Sequence, residues 1–264
     1  MTGLNRLHWA EYFMEGACLG MFMLSACVLS VLLEHPASWI HQAIPSTLLR
    51  RVLMGIAMGA TSIAIIHTPW GKRSGAHMNP AVTLAFWSLG KVRGRDALFY
   101  VAGQFLGGIG GVLLAGLLIG PALEDGNVNY AVTVPGRWGV WTALAAEFGI
   151  SLVMMTTVLM FANTPRLSRF TPWAAGFLVA AYISIESPIS GMSMNPARTL
   201  GSAASAHVYP ALWIYFAAPT LAMFLAGRIY RAFGARRRIY CAKYHHHNNQ
   251  RCIFLCKWEE MRNA

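Results

Sequence analysis

The sequence predicts an all-α membrane protein: six transmembrane helices plus two re-entrant half-helices, arranged as an inverted repeat. Three observations predict this. Of 264 residues, 56% are hydrophobic and only 12% are charged, against about 25% charged in soluble proteins, and the mean hydropathy is +0.45. Six apolar runs approach the roughly 20 residues that cross a hydrocarbon core. One short motif occurs twice, and each copy opens an apolar stretch too short to span.

The runs cover about 11–33, 46–67, 96–119, 140–162, 171–187 and 208–232, the fifth being the shortest. Strands there would leave unpaired backbone groups in lipid, so each run is expected to be helical. The run from Tyr12 to Leu33 is too long for the core of a cleaved leader, and no small-residue cleavage site follows it, so it is expected to be retained. The glycines at 103, 107, 108, 110 and 111 lie within an apolar run, where they let helices pack closely.

The two short stretches are about 80–89 and 196–205, each starting at Asn-Pro-Ala. A ten-residue helix covers about 15 Å, half the core. Half-helices at matching places in two halves mark a transport site. The segment Ser74–Leu84 aligns with Ser190–Leu200 at an offset of 116, and eight of eleven positions are identical. Each half holds three spans, and an odd number turns the second copy over. The expected organisation is a first repeat over 1–125, a second over 126–235, and a basic Cys/His-rich tail over 236–264.

The net charge is +11, yet the excess lies in loops and tail. It forms no basic face interleaved with aromatics, which argues against nucleic acid as a partner. With the N-terminus in the cytoplasm, all but four of the 21 Lys and Arg fall inside, as the positive-inside bias requires. The four are Arg50, Arg51, Arg137 and Arg198, of which Arg50 and Arg51 fit least well. Both termini are therefore expected in the cytoplasm. Of five cysteines, Cys18 and Cys27 lie inside the first run, which excludes a disulfide framework.

In each copy of the motif, Pro80 or Pro196 occupies the first helical position, where a missing N–H costs nothing. Asn79 and Asn195 precede them as N-caps, and Ala81 and Ala197 keep the junction slim. A capping asparagine uses its oxygen on the first turn and points its NH2 donors away. In an inverted repeat the two helix starts meet near the midplane, each with about +0.5 of an elementary charge. A molecule there must offer its oxygen to the asparagines, and cations meet a positive field. Arg198 follows directly on the second copy. A charge on a membrane re-entrant helix is expensive and normally lines a pathway.

Ser-Gly-Ala-His-Met-Asn-Pro-Ala-Val and Met-Asn-Pro-Ala-Arg, in this frame, resemble the major intrinsic protein family, the aquaporins and glycerol facilitators, over roughly residues 8–232. The chain looks like a bacterial-type, aquaporin-like member. The resemblance implies a right-handed aquaporin-like bundle and a homotetramer with one pore per subunit, set among the lipids of the plasma (inner) membrane. It implies passive passage of water and of small neutral solutes such as glycerol, urea, ammonia or metalloid hydroxides, with protons and ions excluded. It implies no catalysis and no required cofactor. The family's selectivity filter has four walls, which fall on Gly59, Ile183, Met192 and Arg198. Strict water channels resemble Phe, His, a small residue and Arg there. The departures at Gly59 and Ile183 imply a wider, more apolar ring, which the bulky, flexible Met192 partly refills. Thr199, Ala203, Tyr215 and Phe216 match the water-channel side of the family.

Glu15 and Glu147 occupy the first span of each half. Buried carboxylates are costly unless satisfied. The family parallel has them accepting bonds from the re-entrant loops, with Gln104 as a similar brace; a proton relay is the alternative. The resemblance also puts His77 at the inner vestibule. His67 and His207 read as polar helix-end residues. Glu186, near the outer end of the fifth span, is expected to be solvated.

A basic run, Arg236 to Arg238, follows the sixth span, as suits topology and anionic lipid. Beyond it Cys241, His245, His246, His247, Cys252 and Cys256 place three thiols and three imidazoles within sixteen residues. These are ligands for zinc or another transition metal, in a spacing that matches no standard finger. Cys241 and His245, and Cys252 and Cys256, lie four apart, so each pair would share a helix face. Two rival functions remain: a secondary transporter, which needs ionisable coupling groups at the midplane, and a channel regulated by metal binding to the tail.

Overall fold

The computed structural model describes residues 7–233 and 238–262; Arg6, Arg236 and Arg237 lie outside them. Among the described residues every regular element is helical. The first half comprises α1 (Trp9–Glu34), α2 (Thr47–His67), the half-helix α3 (Pro80–Ser88) and α4 (Gly94–Ile119). The second comprises α5 (Val140–Ala162), α6 (Thr171–Ser190), the half-helix α7 (Pro196–Ala206) and α8 (Ile214–Ala232). By length and composition, α1, α2, the run Gly94–Leu123 that includes α4, and α5 are each apolar enough to cross a membrane.

The packing repeats between the halves. α1 lies on α4 as α5 lies on α8, and α7 packs on α4 as α3 packs on α8. α2 and α6 meet each other across the repeat. The α1–α4 contact depends on glycine: a Cβ on Gly107 would stand 2.0 Å from the Gly16 carbonyl oxygen. Outward faces carry exposed Leu106, Leu117, Leu118, Phe177 and Ile185, an apolar surface suited to lipid rather than water.

The helix bounds follow local sequence, with three differences. The sixth long helix begins at Ile214 rather than 208, because turns occupy 209–213 around Pro210. α6 continues through Pro188 to Ser190, so α8 is the shortest of the six at 19 residues. Two short helices, Trp39–Ala43 and Pro69–Ser74, fill loops that carry no long apolar run. Ser46 caps α2, accepting from Leu49 N at 3.3 Å. Arg50, the misfit of the charge count, is buried and paired: it bonds Glu34 Oε2 at 3.1 Å and the carbonyls of Ile44 and Pro45. Arg51 donates to Ser184 O at 3.0 Å. These two cations are used as local clasps, which frees them from the statistics of exposed loop charge.

Candidate functional site

Asn79 and Asn195 cap the two half-helices. Asn79 Oδ1 accepts from Ala81 N at 2.8 Å. Asn195 Oδ1 accepts from Ala197 N at 3.1 Å and Arg198 N at 3.2 Å. Their amide nitrogens reach across the repeat: Asn79 Nδ2 donates to Met194 O at 2.7 Å and Asn195 Nδ2 to Met78 O at 2.6 Å. Each amide therefore spends its oxygen and one N–H on the protein. Both side chains border one cavity of about 90 Å³, which Phe22, His77, Met192 and Arg198 also line. By the liquid share of about 30 Å³ per molecule, that is room for a file of a few waters. Arg198 Nη1 has no partner among the described residues.

The loops that deliver these caps are strained alike. Gly75 (φ 100°) and Gly191 (φ 83°) end the preceding helices in the left-handed region, which glycine adopts at no steric cost. Ala76 and Met192 then take φ 53° and 52°, and Met78 and Met194 take 49° and 56°. Left-handed non-glycine residues cost of order 1–3 kcal/mol and persist only where surroundings hold them. The holding groups are the two carboxylates. Glu147 accepts from Ser190 Oγ, Ser193 N and Met194 N, each at 2.7 Å. Glu15 accepts from Met78 N and, at 2.8 Å, from Gln104 Nε2, which also donates to Thr83 at 2.9 Å. Tyr100 and Tyr215 hydroxyls donate to the carbonyls of Ser74 and Ser190. The sequence reading missed Tyr100 as a brace; its position 115 residues before Tyr215, one short of the motif offset, was the available signal.

A family profile described as Major intrinsic protein matches residues 7–230. The chain belongs to that family. Its members are channels, not enzymes. Aquaporin NIP6-1 of Arabidopsis thaliana is 34% identical over 180 residues, 67% of this chain and 57% of the relative. Aquaporin-8 of Notomys alexis is 30% identical over 88% of this chain and 87% of its own length. The chain spans about three fifths of the length of the curated plant relatives it matches. The solved aquaglyceroporin of Plasmodium falciparum superposes with a TM-score of 0.68 at 17% identity, covering 85% of this chain and 96% of that one.

In this major intrinsic protein, α1, α2, α5 and α6 contribute side chains to the cavity wall, α5 through Met154. Ser62 and Ile66 of α2 line it, as do Ala175 and Val179 of α6, with Leu19 from α1. Residues four apart share a helix face. Ile183 extends the α6 stripe by one turn, and Met58 extends that of α2. Gly59 does not. A Cβ built there would meet Gly176 O at 2.5 Å and Ala180 Cβ at 2.9 Å. Gly59 is thus a packing residue in the α2–α6 contact, and the buried Met58 beside it continues the helix face that carries Ser62 and Ile66. Glu186 is corrected: it is buried rather than solvated, on the α6 face shared with Ser190, and neither carboxylate oxygen has a partner among the described residues.

The family match stops at residue 230, and the tail beyond it folds back against the loops. Residues 239–257 contain no helix or strand, so the helix-face pairing expected of the cysteines does not occur. Chain reversals instead bring Cys241, His246, Cys252 and Cys256 together, their ligand atoms all within 4.8 Å of one another. His245 and His247 stay outside, because successive residues of an irregular chain point different ways. The His245 ring lies against His67, with centroids 4.9 Å apart, and burial beside His67 and Lys72 pushes it down to about 4. His247 Nε2 meets Ser168 Oγ at 3.0 Å. The vestibule expected around His77 is filled: the tail covers it, and His77 Nε2 donates to Ala242 O at 2.8 Å.

Proposed function

We propose that this chain is a passive channel for water and small neutral solutes, excluding ions and protons. One observation carries the reading. The reciprocal Asn79–Met194 and Asn195–Met78 bonds hold two helix N-termini at a shared cavity. Each asparagine then offers only donors there, since its oxygen is committed to its own helix. A water in the file points its oxygen at both amides and turns its hydrogens outward on each side. That breaks a continuous proton wire, and the two helix ends oppose cations.

The filter walls are Met58, Ile183, Met192 and Arg198. Two methionines and an isoleucine make an apolar, adaptable ring. Arg198 supplies the hydrogen-bond donors and the fixed positive charge. With Met58 rather than Gly59 in the ring, the opening is narrower than the sequence suggested, so water is the primary solute and glycerol or urea pass more slowly. Glu15, Glu147 and Gln104 act as loop braces, and His77 lines the cavity beneath the tail. The two repeats, 1–125 and 126–235, are the functional halves. The protein is a homotetramer of the plasma membrane with both termini in the cytoplasm, as its charge asymmetry favours.

Stopped-flow light scattering on proteoliposomes tests the reading, under an impermeant osmolyte and then under glycerol or urea gradients, with and without a metal chelator. Shrinkage no faster than that of empty vesicles in every condition overturns it.

A further inference from the structure

We propose that Cys241, His246, Cys252 and Cys256 bind one zinc ion, and that the zinc-held tail is a plug closing the tail-side mouth of the pore. The metal site stands by itself; the plug rests on the channel reading above.

The geometry of the four ligand atoms supports zinc. Cys241 Sγ and Cys252 Sγ are 3.6 Å apart, and His246 Nε2 lies 3.0 Å from Cys256 Sγ. Around a tetrahedral ion with Zn–S near 2.3 Å, ligand sulfurs stand about 3.8 Å apart. All three thiols are free. Three sulfurs and one imidazole make a closed Cys3His set with no position left for water, the pattern of structural zinc. Tetrahedral sulfur-rich sites select zinc over the hard cations. The His246 ring stacks on Trp258 with centroids 4.5 Å apart and planes 13° off parallel, which fixes its orientation. Lys243 Nζ ties the returning strand of chain through the carbonyls of Gln250 and Arg251 at 3.2 and 2.8 Å. A segment of this length without regular structure has too little core to hold such a fold unaided, and zinc supplies folding energy outright.

The held loop sits in the mouth. Tyr244 lines the same cavity as Asn79 and Asn195, and its N–H donates to Gly75 O at 3.2 Å. The Phe254 ring stacks on His77 at 5.2 Å. Leu255 N donates to Lys91 O at 2.9 Å, and Tyr240 N to Asn163 Oδ1 at 2.6 Å. The tail is thereby anchored to the first re-entrant loop and to loops from both halves. His77 is 3% exposed beneath it, and the tail's own Tyr244 is 6% exposed, so a solute has no broad entry past them while the tail stays.

The test uses the full chain in proteoliposomes and the double variant Cys241→Ser/Cys252→Ser, with His246→Ala as a second variant should the first fold poorly. Metal analysis by mass spectrometry is expected to give about one zinc per chain in the parent and a near-complete loss in either variant. Trypsin cleavage after Lys243, which is buried in the docked tail, reports release. Loss of zinc is expected to raise that cleavage and to increase osmotic water permeability several-fold. Absence of zinc from the parent, or zinc retained in both variants, overturns the site. Zinc loss with Lys243 still protected overturns the plug, as does permeability above that of empty vesicles but equal in parent and variants. A tail released yet no permeability in any form overturns the channel reading instead, and the zinc site then stands on its stoichiometry.

Discussion

Replacing Glu147 with alanine removes the acceptor for Ser193 N, Met194 N and Ser190 Oγ at once. The serine hydroxyl can rotate to another acceptor, but the two backbone N–H groups cannot. Ser193, Met194 and Glu147 are all buried, so each orphaned N–H costs about 1–3 kcal/mol, giving about 2–6 kcal/mol for the pair. Met192 and Met194 would also lose the restraint that holds them at φ 52° and 56°. Glu147→Gln keeps one oxygen acceptor of the same reach and should lose about half as much. Thermal unfolding in detergent, read by intrinsic fluorescence, measures the difference. At about 2–4 °C per kcal/mol for a protein near this size, the alanine variant should melt at least about 4 °C below the parent and the glutamine variant between them. Water permeability should fall with loop order in the alanine variant and survive in the glutamine variant. An alanine variant as stable as the parent would refute the bracing role. A glutamine variant of normal stability but without permeation would instead revive a proton relay.

Four further outcomes follow from the packing. Met58→Ala should raise glycerol permeability relative to water in stopped-flow measurements, because it opens the ring. Gly59→Ala should leave that ratio unchanged and lower stability by about 1–3 kcal/mol, since its methyl strikes the Gly176 carbonyl. Gly107→Ala should likewise lower the melting temperature, because its Cβ falls 2.0 Å from Gly16 O and forces α1 and α4 apart. Arg50→Ala should cost about 3–5 kcal/mol on the general scale for removing one partner of a buried pair; Glu34 is half-buried, so the loss should sit at or below the low end, as a denaturant titration would show.

Much of the site was readable as local sequence. Asn79 and Asn195 were identified by what a cap before proline must do, and the cross-bonds that make them reciprocal follow from an inverted repeat. Glu15, Glu147 and Gln104 were readable as polar groups that apolar spans cannot tolerate without partners. Tyr100 escaped notice because a tyrosine in an apolar run looks like packing until its hydroxyl finds Ser74 O. Gly59 was read as a filter wall because a position counted back from a motif gives height along a helix but not rotation about its axis. That rotation is set by the α2–α6 contact, where Gly55 and Gly59 face Ala180 and Gly176.

The sequence by itself determined that six runs cross a membrane as helices, that two shorter ones turn back, and that an odd number of spans inverts the second half. These are consequences of apolar length, backbone polarity and counting, all local along the chain. Only the tertiary structure decided which face each helix turns inward, that Arg50 finds Glu34, that four of six tail ligands converge, and that the tail covers His77. Those outcomes depend on contacts between residues far apart in sequence, and an irregular tail carries no period from which they can be read.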